Sequence, residues 1–295
     1  MTRILVIGRS GQVAMALAEL GRKDQGLTVT TLGRPEIDLA LPALVRQAIA
    51  VRRPDVVVNA AAFTAVDRAE AEETLAMRIN CDGAAAAAAA ADAIGASFVQ
   101  LSTDYVFSGD KDGPYVEDDS PAPLGAYGRS KLAGEQAVRA ANPQALILRA
   151  SWIFSPFGHN FVRTMLRLGG DRDVVRVVDD QAGNPTSALD LAAAILRLAP
   201  VIGAAPGDGA ILHLCGSGAT TWCGLAREVF RASAARGGPA PEVEAIATAD
   251  YPTAARRPAN SRLDCSAFRQ RFGFALGPWQ EAVAATVARL LSTTA

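Results

Sequence analysis

Lysine is scarce in this 295-residue chain, where Lys23, Lys111 and Lys131 stand against 26 arginines. Histidine is scarcer still, with only His159 and His213. The four cysteines, Cys81, Cys215, Cys223 and Cys265, show no Cys-x-x-Cys spacing. Zinc sites need clustered Cys and His ligands, and small secreted scaffolds need paired cysteines. The sequence therefore encodes neither a zinc site nor a disulfide framework, and the thiols read as free and buried. No apolar run reaches the ~18 residues of a membrane-spanning helix. The opening from Met1 to Gly8 reads as a strand entering a glycine turn, unlike a secretory signal. These absences predict a cytoplasmic protein with no membrane partner. A formal charge of −1 without any basic block argues against nucleic acid as a partner, while isolated arginines can still hold small anions.

Half of the residues are hydrophobic, enough to bury a large core in one domain or two coupled ones. There is no internal repeat. Instead, short apolar runs alternate with helical stretches: Ile4 to Ile7, Leu27 to Leu32, Val56 to Asn59, Ser97 to Ser102 and Leu146 to Ala150. Such alternation predicts an α/β fold, a Rossmann-like doubly wound parallel sheet with crossover helices. The eight alanines from Ala84 to Ala91 lie in a helix expected around Met77 to Ala93, where small side chains let it pack closely. After Trp152 the rhythm loosens, with strands expected at Val174 to Val178 and Ile211 to Leu214 and a Gly/Pro-rich linker at Arg236 to Pro241. The expected organisation is a nucleotide-binding part over 1–152. A smaller, mainly substrate-binding part covers 153–295, with some segments returning to the main sheet.

Gly8-Arg9-Ser10-Gly11-Gln12-Val13-Ala14 falls where the first strand turns into the first helix. Glycines there let the backbone approach a pyrophosphate, and the helix N-terminus offers free amides and a positive dipole end. Ala14 is small enough for close helix-to-strand packing. The end of the second strand reads Leu32-Gly33-Arg34. An acidic residue at this place would bond a ribose 2′-hydroxyl and repel a 2′-phosphate, whereas Arg34 could hold that phosphate. NADPH is thus expected in preference to NADH, with NADH a permitted second cofactor. Asp38 and Leu39 follow and would border the adenine.

Ser102-Thr103-Asp104 closes the fourth apolar run, and Tyr127 and Lys131 stand four apart in a helical stretch, hence on one face. A hydroxyl, a phenol and an ammonium converging on one carbonyl are the equipment of a nicotinamide-dependent reductase. The Lys131 charge is expected to draw the Tyr127 pKa downward and make the phenol a general acid. A lysine retained in an arginine-rich chain fits that use. Trp152 reads either as a core residue or as a flat wall for a sugar or base.

Taken with Asn59-Ala60-Ala61-Ala62-Phe63-Thr64, Asn80-Cys81-Asp82-Gly83, Ser102 to Phe107, Tyr127-Gly128-Arg129-Ser130-Lys131, Asp180 to Thr186 and Arg257 to Asp264, the chain resembles the extended short-chain dehydrogenase/reductases. Within them it is similar to the dTDP-4-dehydrorhamnose reductases along nearly its full length. The resemblance implies that Gly11, Gln12 and Val13 bind the pyrophosphate, Asp38 and Leu39 the adenosine side, and Ala62, Phe63 and Thr64 the middle of the cofactor. Tyr127 and Lys131 would reach the nicotinamide ribose, with Thr103, Tyr127 and Lys131 catalytic and Thr103, Asp104 and Trp152 touching a dTDP-sugar substrate. It also implies a link from Asn80 through water to the lysine. A monomer or homodimer is expected. Ala16 replaces a glutamate that some relatives use in a magnesium-bridged dimer, which argues against that bridge here. The glutamate of a sugar-nucleotide 4,6-dehydratase is likewise replaced, by Tyr105.

Overall fold

The computed structural model describes residues 1–202 and 208–292. Its first half alternates strands and helices: β1 (Thr2–Ile7), α1 (Gln12–Gly21), β2 (Leu27–Leu32), α2 (Pro42–Arg52) and β3 (Val56–Asn59). Next come α3 (Val66–Ala71), α4 (Glu73–Met77), a π-helical turn (Arg78–Gly83), α5 (Ala84–Asp92) and β4 (Ser97–Thr103). A 3₁₀ turn (Asp104–Val106), α6 (Ala126–Ala141) and β5 (Leu146–Ala150) complete this part. The remainder comprises β6 (Ile153–Phe154), α7 (Phe161–Asp171), β7 (Val174–Val178), β8 (Ala182–Gly183), β9 (Thr186–Ser187), α8 (Ala188–Ile202) and β10 (Ile211–His213). It ends with β11 (Thr220–Thr221), α9 (Trp222–Ala234), β12 (Glu242–Ile246), β13 (Asn260–Ser261), α10 (Ser266–Phe272) and α11 (Trp279–Ser292).

Six strands pair in the order β2-β1-β3-β4-β5-β10, all parallel. Burial on both faces explains why the inner strands β1, β3, β4 and β5 are largely apolar runs, unlike the edge strand β2. Along β1, Ile4 and Val6 enter one core with Val13, Leu17, Leu191 and Ile195. Leu5 and Ile7 enter the opposite core with Val45, Ile49, Phe98 and Ile147. Alternate side chains of a strand point to opposite faces, so one short run feeds two cores. Each fully buried aliphatic side chain contributes about 1.5–3 kcal/mol. The chain leaves β1 toward β2 on one side and returns to β3 on the other. This creates a switch point at the C-terminal ends of β1 and β3, where doubly wound sheets bind ligands.

The alanine run lies in α5, with Ala84, Ala86, Ala87, Ala88, Ala90 and Ala91 buried. The helix expected from Met77 is not continuous, because the π-helical turn interrupts it and buries Asn80. A π turn inserts one extra residue per turn, and sequence propensity does not distinguish it from α-helix. The two later strands part company. β10 joins the main sheet beside β5, whereas β7 pairs only with β12 in a separate two-stranded sheet. The latter sheet caps a third core built from α7, α9 and α11. No helix among the described residues is long and apolar enough to cross a membrane.

Candidate active site

Gly8 ends β1 at φ +129°, a conformation that L side chains rarely adopt. A Cβ there would also press on Ala14 at 3.2 Å, so both small residues are needed for the strand to turn into α1. Gly11 caps α1 without a side-chain bond, leaving the first-turn amides available to a ligand. Together they form an open, backbone-lined cradle suited to a pyrophosphate. Gln12 is tied down beside it: its Nε2 donates to the Ile153 carbonyl at 3.3 Å, and its Oε1 accepts from Ser155 at 2.8 Å. Val13, by contrast, buries its side chain in the core and could meet a ligand only through its backbone. Leu39 is likewise buried, against the backbone of Gly83.

At the end of β2, Arg34 is exposed and makes no ion pair or hydrogen bond among the described residues. Glu36 lies on the same turn, but its carboxylate is paired with Arg9 at 2.7 Å. Arg9 therefore joins Arg34 at this tip, its Cβ packing so close to Gly33 that a Cβ on the glycine would lie 2.9 Å away. Asp38 turns its Oδ1 to the Ala40 amide at 2.9 Å.

The segment after β3 is held by Asn80. Its Oδ1 accepts from the Phe63 amide at 2.7 Å, while its Nδ2 donates to the Phe63 carbonyl at 3.1 Å and to Ser130 Oγ at 2.9 Å. Ser130 in turn donates to the Tyr127 carbonyl at 2.8 Å. One buried amide thus couples the Ala62–Thr64 segment to the helix carrying Tyr127 and Lys131, with Phe63 buried, Ala62 partly covered and Thr64 exposed. The π-helical turn aims Asn80 into this position.

Thr103 ends β4 and donates to Asp104 Oδ1 at 3.0 Å. Asp104 is 3% exposed and its Oδ2 is buried without a hydrogen bond among the described residues. Burial pushes its carboxyl up to about 6, against the pull of the nearby Ser261 and Thr103 hydroxyls. The Tyr127 phenol is also pushed up: burial dominates, the Thr103 hydroxyl beside it acts in the opposite sense, and the Asp104 and Tyr105 charges reinforce the rise. This reverses the lowering expected from Lys131. The ammonium does not turn to the phenol but donates to the Leu101 carbonyl at 2.7 Å. Burial draws the Lys131 pKa down to about 8, partly offset by the Glu135 charge.

Glu135 lies one helical turn beyond Lys131 on the same face. It forms a buried, two-bond pair with Arg149, 2.9 Å from Nε and 2.7 Å from Nη2, and accepts from Ser102 Oγ. This network forms the floor beneath Thr103 and Lys131. Its helix spacing from Lys131 was a signal available in the sequence.

Several residues complete the other wall. Tyr105 meets the Tyr127 ring edge-on at 5.6 Å, and burial raises its own phenol to about 12. Arg257, beside Tyr105, pairs with Asp67 at 2.7 Å. Ser261 approaches Asp104 from β13. Trp152 is partly exposed, with φ +48°, a strained backbone for a bulky residue that costs on the order of 1–3 kcal/mol. It stacks on Trp222 at 3.7 Å. The pairing of Thr103 with Ala150 carries Trp152 to the same edge of the sheet as Thr103. Trp222, Ser261 and Arg257 carry no spacing signal that relates them to Tyr127. Among the described residues, no group of three or more His, Cys, Asp or Glu side chains could hold a metal ion.

Residues 1–292 match a family model described as the RmlD substrate binding domain. The chain is 45% identical over 291 residues to a dTDP-4-dehydrorhamnose reductase of Sinorhizobium fredii, covering 98% of each chain. A solved dTDP-4-dehydrorhamnose reductase from Clostridium acetobutylicum superposes with a TM-score of 0.91 at 34% identity, over 98% of this chain and 99% of that one. The Bacillus anthracis enzyme, solved in complex with NADP, gives a TM-score of 0.89 at 32% identity with the same coverage of each chain.

Proposed function

The chain belongs to the RmlD substrate binding domain family, and from that premise we propose that it is an NADPH-dependent reductase of the 4-keto group of dTDP-4-dehydro-L-rhamnose, yielding dTDP-L-rhamnose. One observation carries the reading: Thr103, Tyr127 and Lys131 gather at the C-terminal edge of the sheet that also bears the glycine cradle. Gly8, Gly11, Gln12 and Val13 would hold the pyrophosphate through backbone groups, with Arg34 at the 2′-phosphate. Asp38 and Leu39 would border the adenosine, and Ala62, Phe63 and Thr64 the middle of the cofactor. The positive φ of Gly8 and the free amides of α1 fit such a group.

When bound, NADPH supplies the hydride. The chain supplies position and proton. A phenol held above its ordinary pKa of ~10 keeps its proton at neutral pH, so Tyr127 stays loaded until negative charge develops on the substrate oxygen. The transfer goes to that oxygen, and Lys131, anchored on the Leu101 carbonyl, would reach the nicotinamide ribose. Thr103 would turn its hydroxyl from Asp104 to the same oxygen and fix its approach. Asp104 and Trp152 line the sugar nucleotide. The proposed setting is the cytoplasm, with a dTDP-sugar as the small-molecule partner and neither nucleic acid nor membrane required.

The test is to follow NADPH absorbance with dTDP-4-dehydro-L-rhamnose, then with the corresponding UDP sugar. Stoichiometric NADPH consumption with the dTDP compound and formation of dTDP-L-rhamnose is the expected result. No consumption with either compound would remove the reading.

A further inference from the structure

The strained backbone of Trp152 needs surroundings that over-determine it. Those surroundings are specific. The Trp222 ring lies nearly parallel to that of Trp152, with planes 11° apart, and Phe161 packs on Trp222 at 4.8 Å. The Trp222 Nε1–H donates to Gln181 Oε1 at 3.2 Å, and Gln181 Nε2 donates to Thr248 Oγ1 at 2.9 Å. Trp222 opens α9, whose cap Thr221 accepts from the Gly224 amide at 3.0 Å, so its ring departs from an anchored helix end. Gly183 lies over the ring of Trp152: a Cβ there would press on the indole Cε2, Cζ2 and Nε1.

An indole has two broad faces. Trp222 takes one and Gly183 covers the Cε2 end of the other, so a ligand that meets Trp152 must use the remainder of the ring or displace Trp222. We propose that Trp222 is a positioning residue for the sugar nucleotide, acting through Trp152 and itself aligned by Gln181. The inference deepens the reductase reading and rests on it. With the pair already stacked, the ordering of Trp152 is paid during folding and is not subtracted from substrate binding. The effect belongs to substrate affinity and not to hydride transfer, because among the described residues Trp222 makes no hydrogen bond or ring contact with Thr103, Tyr127 or Lys131.

The test compares Trp222→Ala, Trp222→Phe and Gln181→Leu with the wild-type chain. Four readouts are taken: KM, kcat, calorimetric affinity for dTDP-L-rhamnose, and the exciton couplet of the tryptophan pair in circular dichroism. Trp222→Ala should abolish the couplet and raise both KM and the dTDP-L-rhamnose Kd about tenfold, an aromatic pair's worth of binding, with kcat held within about twofold. Trp222→Phe keeps a flat ring and should recover most of the affinity. Gln181→Leu should leave the couplet weakened and raise KM about threefold, the loss of one neutral hydrogen bond.

An unchanged KM in Trp222→Ala with the couplet gone would overturn the proposal, as would a fall in kcat at constant KM. Should Trp222→Ala fail to fold, Trp222→Phe and Gln181→Leu decide: a wild-type KM in Gln181→Leu, or a Trp222→Phe variant with no detectable substrate binding, overturns it. If the wild-type chain reduces no keto sugar nucleotide, the reductase reading fails on its own. The calorimetric arm still judges the tryptophan pair, because an unchanged Kd for dTDP-L-rhamnose in the variants would reject it.

Discussion

The two sides of the proposed site are built by opposite means. The proposed cofactor side comes almost wholly from the first 64 residues and presents backbone: the cradle at Gly8 and Gly11, and the segment after β3 clamped by Asn80. The proposed substrate side gathers side chains from Thr103, Asp104, Trp152, Trp222, Arg257 and Ser261, residues scattered over more than half the chain. A strand-turn-helix unit makes a phosphate cradle locally, whereas a wall shaped to a sugar must be assembled from whatever the fold brings together. Tyr127 stands at the border between the two, above the shared floor of Glu135 and Arg149.

Striking that border should have the largest effect. Tyr127→Phe removes the proposed proton donor and should lower kcat by about 10²–10⁴-fold, while the NADPH Kd measured by fluorescence stays near wild type. Retained turnover would dissolve the distinction between border and walls. The floor comes next. Glu135→Gln leaves the Arg149 charge buried without its partner and should destabilise the chain by about 3–5 kcal/mol in urea unfolding, an effect common to both sides. A loss below about 1 kcal/mol would mean that the pair does not hold the floor.

A change confined to the substrate side should be smaller and depend on pH. The folded-state pKa of Asp104 is about 6, above its ordinary 3.8, so the folded chain binds this proton more tightly than the unfolded chain does. Its contribution opposes folding at neutral pH, and the penalty fades as pH falls from about 6 toward 4. Asp104→Asn should therefore raise stability by about 2–3 kcal/mol at pH 7.5 and by only about 0.5 kcal/mol at pH 4. A pH-independent difference would show that the carboxylate bears no burial penalty. The smallest effect is expected at the exposed edge of the cofactor side. Arg34→Ala should raise the KM for NADPH by about fivefold and leave that for NADH unchanged, sharpening the contrast if Trp152 and its neighbours are unaffected.

Much of the frame was legible in the residues. Apolar runs such as Val56 to Asn59 and Leu146 to Ala150 are strands buried on both faces, and the glycine turn sits where the first strand demands it. The floor was half legible, since Glu135 follows Lys131 by one helical turn, but its partner Arg149 lies on a neighbouring strand. The π-helical turn at Arg78–Gly83 was not legible, because the same residues propagate either helix. Nor was the stacking of Trp222 on Trp152, two rings 70 positions apart.

The order of apolar and polar residues by itself determined a parallel sheet, its glycine cradle and the shared helix face of Tyr127 and Lys131, because these depend on repeats of two to four residues. Tertiary structure alone decided which side chains wall the cleft, that β10 closes the main sheet while β7 leaves it, and that the Tyr127 phenol is driven up instead of down. Solvation explains the last reversal. A neighbouring charge can be read from spacing, but the loss of water around a group depends on everything packed over it, and here that loss is the largest cause, reinforced by the Asp104 and Tyr105 charges.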